Sequence, residues 1–189
     1  DQEEGDDEYD MDDDENEYDD EEDEFSDEDD DSWKVRRSAI RTLAAIVKSS
    51  EKNLSSLWNV SYSLKKNKKW KATVADALVN RFKERDENCR VDIIECFDSL
   101  LKLSVTAASK GYLRFSSSEG MDIEGDIQTV NNFRSVYVKA IVSGCEKQFQ
   151  AKKSRFQTKS AALSLLSTLC TAPGGIGDAA TINSMFQSI

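Results

Sequence analysis

A single proline in 189 residues, Pro173, and apolar residues that return every three or four positions confine the body of this chain to helices. Val35, Ala39, Leu43 and Ile46 form one stripe, with Ile40 and Val47 beside it. Val74, Leu78 and Phe82 form a second, and Ile93, Phe97, Leu100 and Leu101 a third. Phe133, Val136, Tyr137, Ala140 and Ile141 form a fourth, and Ala162, Leu166 and Leu169 a fifth. Each stripe fits one face of a 3.6-residue helix, and none alternates as a strand requires. Ser32 is placed to cap the first helix, and Asp86 or Asn88 the helix running through Val91. Pro173-Gly174-Gly175 ends the helix that finishes near Cys170. Loops are expected near 58–71 and 111–128.

Three of these helices read as copies of one element. Val35, Ala39 and Leu43 superpose on Cys89, Ile93 and Phe97, 54 residues on, and again on Thr158, Ala162 and Leu166, 69 residues later. A basic residue stands near the start of each: Arg36, Arg90, Lys159. A helix, a short turn and a second helix opening D-x-x-x-x-[VT]-[RK] is the logic of HEAT-type repeats, whose unit runs about 40 to 47 residues. The longer spacing here places the excess in the two loops. An ordinary helical bundle is the alternative on periodicity alone. One two-helix unit buries about eight apolar side chains at about 1.5 to 3 kcal/mol each. Ordering its roughly 40 residues costs about 1 to 2 kcal/mol each. Such a unit needs neighbours, which favours a stack. The expected fold is all-α, a HEAT-repeat (armadillo-like) α-solenoid fragment carrying an acidic disordered loop. Residues 32–189 would hold about three repeats, the last incomplete. The chain opens on Asp1 rather than methionine and stops at Ile189 within a patterned segment, so both ends are expected to be cuts.

The net charge of -12 averages two opposite regions. Residues 1–31 hold 23 of the 37 acidic residues and no Lys or Arg, leaving 14 acidic against 25 basic side chains in the rest, a net of +11. Unmixed charge of that density repels itself and buries no apolar area, so residues 1–31 are expected to be a disordered loop. The basic excess of the body is scattered and comes with no nucleic-acid-binding motif, so no specific nucleic acid is expected. No stretch approaches the roughly 20 apolar residues of a membrane span, and no basic-then-apolar leader is present. Neither a small-molecule substrate nor a cofactor is indicated.

Cys89, Cys96, Cys145 and Cys170 form no CxxC pair, and the chain has no histidine, so they read as small buried apolar residues rather than metal ligands. The lack of an imidazole base, and the gathering of carboxylates in one terminal run, argue against an enzyme. The acidic run lacks the spacing and glycine of an EF-hand. Gly174-Gly175-x-Gly177 follows no strand and precedes no Lys-Ser/Thr, so it reads as a helix stop and turn rather than a phosphate loop.

Two strings are more specific. An acidic run leading into Ser-Trp-Lys-Val-Arg-Arg-Ser-Ala (Ser32 to Ala39) resembles the cullin-associated, neddylation-dissociated family. So does Ala-Leu-Val-Asn-Arg-Phe-Lys-Glu-Arg-Asp-Glu-Asn (Ala77 to Asn88), followed by a helix with Ser-Leu-Leu-Lys (Ser99 to Lys102). The likeness runs well from Asp20 to Leu103 and in pattern from Asn131 to Gly174. It implies a HEAT-repeat solenoid far longer than this chain, wrapped around an unneddylated cullin and its RING subunit and promoting exchange of substrate receptors on cullin–RING ubiquitin ligases, in cytoplasm and nucleus. The acidic segment would then be a loop between the two helices of one repeat, so the pair-mate of the Trp33 helix would precede Asp1. Against that family's pattern, Trp58 to Trp70 is extra. An acidic loop before a Trp-containing repeat helix also fits importin-β-like nuclear transport receptors, the alternative reading.

The candidate electrostatic or partner surface comprises Arg36 and Arg37 with Lys65, Lys66, Lys68 and Lys69. The lysine cluster reads first as a solvated loop; a docking patch and a nuclear localisation signal are the alternatives. Trp33 reads as a packed helix-start residue rather than an exposed anchor. Ser26, followed by Asp27, Glu28 and Asp29, suits an acidophilic kinase and is the candidate phosphorylation site.

Overall fold

The computed structural model describes residues 31–63, 71–116, 127–152 and 154–176. The acidic segment with Ser26 and its expected disorder, the lysines Lys65, Lys66, Lys68 and Lys69, and residues 177–189 lie outside the described residues. Six α-helices dominate what is described: α1 (Ser32–Ser49), α2 (Leu54–Asn59), α3 (Val74–Val79), α4 (Glu87–Ser109), α5 (Lys139–Gln150) and α6 (Phe156–Thr171). The all-α reading holds in this form.

Helix boundaries follow local chemistry. The Asp86 carboxylate accepts from the Cys89 N–H at 2.8 Å and so starts α4. Thr73 opens α3 with a reciprocal capping box: its hydroxyl accepts from Asp76 N–H, and the Asp76 carboxylate accepts from Thr73 N–H. At α1 the sequence expectation shifts by one residue. Asp31 is the cap position, its carboxylate paired with Lys34 Nζ at 2.6 Å rather than capping a backbone N–H, and Ser32 lies inside the helix, its hydroxyl accepting from Arg36 Nη1. Past α6 the chain turns at Gly174, whose φ of +73° is in the left-handed region.

The helix α4 runs between α1 and α6 and packs against both. The opposite contacts of α4 are with α2 and α3, while α5 pairs with α6. Ile93, Ile94, Phe97, Leu100 and Leu101 of α4 are fully buried, as their stripe requires.

Two corrections concern the loops. Trp58 does not belong to the loop expected near 58–71: it lies in α2, is 1% exposed and stands at the centre of the core. Its ring meets Phe97, Phe133 and Tyr137 edge-on, with centroids 5.6, 5.7 and 5.0 Å away. Its indole N–H donates to Ser104 Oγ at 2.9 Å. Tyr137 ties the end of α2 to the start of α3, donating from its hydroxyl to Trp58 O and sharing a hydrogen bond with Thr73 Oγ1.

The second correction is the presence of short strands where helices and open loops were expected. β1 (Tyr62–Ser63) pairs antiparallel with β2 (Lys71–Ala72), and β3 (Leu113–Phe115) pairs parallel with β4 (Gln128–Val130). Each pair sets two described backbone stretches side by side, with donors and acceptors satisfied between them. β4 is also stitched to α2 by two amide side chains. Gln128 donates to Lys52 O and accepts from Ser55 N–H, one of the orphan donors at the start of α2. Asn59 donates to Thr129 O and accepts from Asn131 N–H. Asn132, with φ of 53°, then leads into a π-helical turn, Phe133–Val138, that continues as α5. That turn buries Phe133, Tyr137 and Val138 together.

Candidate interaction surface

The three helices that carry the repeated pattern are α1, α4 and α6, the ones packed in sequence side by side. Their amino-terminal ends meet. Cys89 Sγ donates to Trp33 O, and Glu87 accepts from Arg155 N–H and Thr158 Oγ1. The three therefore run in one direction, and the residue register read from sequence becomes a register in space.

Each helix of this row has two packing faces. Toward α6, α4 presents Ile94, Asp98 and Leu101; the equivalent residues of α1 are Ile40, Ala44 and Val47, which face α4. Toward α1 and its own pair-mates, α4 presents Cys89, Ile93, Cys96 and Leu100, all buried. The equivalents in α6, namely Thr158, Ala162, Leu165 and Leu169, are buried in the same way. In α1 the equivalents are Val35, Ala39, Thr42 and Ile46, and all four are exposed, Val35 at 72% and Ile46 at 48%. The face of α6 equivalent to the α4-facing side of α1 is also open: Phe156 is 81% exposed, Leu163 45%, and Cys170 is exposed. Among the described residues the row thus ends in an apolar face on each side. These are the two faces that every internal junction covers.

The ion pairs follow the row. Arg37 and Arg41 both reach Asp92 of α4, at 2.8 and 3.2 Å, and Arg36 reaches Glu84 at 3.4 Å. The hydrogen bond from Arg37 to Asp92 raises the guanidinium pKa further. Of the expected surface residues, Arg36 and Arg37 are brought together on α1, with their charges turned toward α4. Trp33 is half-buried at the start of α1, with the Lys34 ammonium 5.8 Å from its ring centre. On the α6 side, Asp98 Oδ2 accepts from Lys102 Nζ at 2.7 Å and Ser164 Oγ at 2.8 Å, while Oδ1 accepts from Thr168 Oγ1. Sequence reasoning missed Asp98, although a carboxylate within the apolar stripe between Phe97 and Leu101 was a readable signal.

Cys89, Cys96 and Cys145 are buried, and burial pushes their thiols up to about 11, about 11 and about 12. Such thiols are not nucleophiles at neutral pH. Among the described residues no cluster of three His, Cys, Asp or Glu could hold a metal ion, and no helix is long and apolar enough to cross a membrane. Open hollows mark the surface of the described residues. One, of about 360 Å³, lies over Leu54, Leu103 and Ala107 beside Tyr112. Another, of about 410 Å³, lies along the α1–α4 junction.

Among the described residues, α1, α4 and α6 form a row with an apolar face open at each end. The chain is 42% identical over 71 residues to cullin-associated NEDD8-dissociated protein 1 of Dictyostelium discoideum, a match covering 38% of this chain and 5% of that protein. It is 30% identical over 148 residues to the mouse cullin-associated NEDD8-dissociated protein 2, covering 78% of this chain and 10% of the relative. The rat protein of the same name is 29% identical over 152 residues, 80% of this chain and 10% of the relative. The chain is related to these proteins over part of its length. It spans a tenth or less of theirs. No family model matches the chain, and no solved structure matches it.

Proposed function

We propose that this chain is a section of a HEAT-type α-solenoid and acts as a non-enzymatic protein-binding scaffold for cullin–RING ubiquitin ligases. In this reading the protein engages unneddylated cullin with its RING subunit and promotes exchange of substrate receptors, in cytoplasm and nucleus. One observation carries it: equivalent residues in α1, α4 and α6 form equivalent junctions, and the two end faces repeat the chemistry of the internal ones without being covered. A bundle closed on itself would bury those faces; a stack continues through them. The names of the relatives supply the partner class.

The test is retention on the immobilised chain. An unneddylated cullin–RING pair should be retained and the neddylated pair should not. Retention of a GTP-loaded Ran GTPase with no cullin would overturn this reading in favour of a transport receptor. Equal retention of both cullin forms would refute dependence on neddylation.

A further inference from the structure

The α1–α4 and α4–α6 junctions use equivalent positions, yet only one of them is filled. Between α4 and α6 the space is occupied by Asp98 and Lys102 from one helix and Ser164, Leu165 and Thr168 from the other, joined by hydrogen bonds through the Asp98 carboxylate. The equivalents between α1 and α4 are Ala44 and Lys48, then Glu95, Cys96 and Ser99. Three of these five are smaller: Ala44 stands for Asp98, Cys96 for Leu165 and Ser99 for Thr168. The consequence is the open groove of about 410 Å³ lined by these residues.

The substitution also removes the carboxylate and leaves its surroundings. Lys48, the counterpart of Lys102, forms no ion pair among the described residues, although its charge is felt at the Cys96 thiol. The Ser99 hydroxyl donates backward to Glu95 O, the carbonyl equivalent to the Ser164 O that Thr168 also reaches, and turns from it to donate to an incoming carboxylate as Thr168 donates to Asp98. Arg41 borders the same groove from α1.

We propose that the α1–α4 groove is a docking slot for a partner protein that inserts a carboxylate side chain, Asp or Glu, beside Lys48, in the place Asp98 holds in the neighbouring junction. The internal precedent fixes the chemistry: the same backbone positions already hold a carboxylate with a lysine one turn away. Charge complementarity agrees, since Asp92 is already taken by Arg37 and Arg41, and among the described residues Lys48 is the groove cation without an ion pair. Glu95 opposes the insertion, for it stands where Ser164 donates to Asp98. It is exposed and free to turn to solvent, and its repulsion limits the slot to a partner with other contacts. A free small carboxylate has none, and a single charged contact in an open groove does not hold it. This inference does not depend on which protein the partner is.

The test uses the full chain, isotope-labelled, titrated with a capped alanine-rich helical peptide bearing one central glutamate and with its glutamine twin. The glutamate peptide should shift the Lys48 and Ser99 amides saturably, and the twin should bind about tenfold more weakly, the worth of one charge-assisted hydrogen bond. Ala44→Asp supplies the carboxylate from α1 itself, so it should keep or raise the melting temperature while losing about tenfold in glutamate-peptide affinity. Lys48→Gln, at an exposed side chain, should weaken binding without touching the core, and Glu95→Ser should tighten it. Equal binding of the two peptides, undiminished binding by Ala44→Asp, or no saturable binding at all would each overturn the proposal.

Discussion

Replacing Trp58 by alanine removes the side chain on which α2, α4 and the π turn converge. The ring makes three edge-on aromatic contacts, to Phe97, Phe133 and Tyr137, and its N–H donates to the buried Ser104 hydroxyl. Truncating a buried Trp to Ala costs about 3 to 5 kcal/mol, the loss of transfer energy together with the cavity left behind. Trp58→Phe keeps much of the packing and loses the hydrogen bond, about 0.5 to 1.5 kcal/mol, plus a smaller void. Ser104 is not orphaned by either change, because its hydroxyl still donates to Leu100 O. In urea, with a slope of about 1 to 3 kcal/mol/M, the alanine variant should move the unfolding midpoint down by roughly 2 M and the phenylalanine variant by less than half that. Far-ultraviolet circular dichroism follows the transition, with Tyr62→Ala on the exposed strand β1 as the neutral control. If Trp58→Ala shifted the midpoint no more than Tyr62→Ala does, Trp58 would belong to the loop expected near 58–71 after all.

Asp98→Ala should cost about 1.5 to 3 kcal/mol rather than more, since Lys102 is exposed and Thr168 can fall back on Ser164 O, leaving few groups stranded; Asp98→Asn should cost less, both read by urea midpoints. Asn59→Ala should cost about 1 to 2 kcal/mol by unmaking the bonds to Thr129 O and Asn131 N–H, and hydrogen exchange should quicken at Asn131 specifically. In the native protein a thiol reagent at neutral pH should find Cys170 before the other three cysteines, which should react only on unfolding. The buried thiols also set an alkaline limit. Their folded pKa values lie above the ordinary 9.0, so the stability they contribute is whole below pH 9 and is lost as pH rises toward about 11 for Cys89 and Cys96 and about 12 for Cys145. A melting temperature that held constant from pH 8 to 11 would contradict this.

The helical register of α4 and α6 was legible because the stripe of each helix meets neighbours encoded in the same chain. Every residue of the stripe Ile93, Phe97, Leu100 and Leu101 is buried. In α1 the same reading held in part. Of the stripe Val35, Ala39, Leu43 and Ile46, Leu43 packs against the core, as do Ile40 and Val47 beside it and Ala44, while Val35, Ala39 and Ile46 are exposed. Periodicity reports that a helix has apolar faces and not which of them a neighbour covers. The strands escaped because runs of two or three residues carry no alternation to read. Trp58 escaped because a lysine-rich stretch after it drew the whole segment into a loop, although Leu54, Leu57 and Trp58 share one helical face. The groove between α1 and α4 was unreadable in principle from one helix; it exists only as a difference between two equivalent junctions.

The central claim, that α1, α4 and α6 are a row open for continuation at both ends, is tested most directly by the assembly state of end-face variants. An α6 end face is chemically the inner face of α1, so copies of the chain should stack head to tail, a heterologous contact that does not close. Sedimentation velocity in about 1 M salt, where the range of repulsion between acidic residues falls to about 3 Å, reads this. The unmodified chain should grow beyond dimers with concentration, and Val35→Glu with Ile46→Glu, or Phe156→Glu with Leu163→Glu, should each remain monomeric. An equimolar mixture of the two double variants should form a dimer and nothing larger, through the one good face left on each. A wild-type chain that stays monomeric at every concentration, or a mixture that fails to pair, would contradict the account.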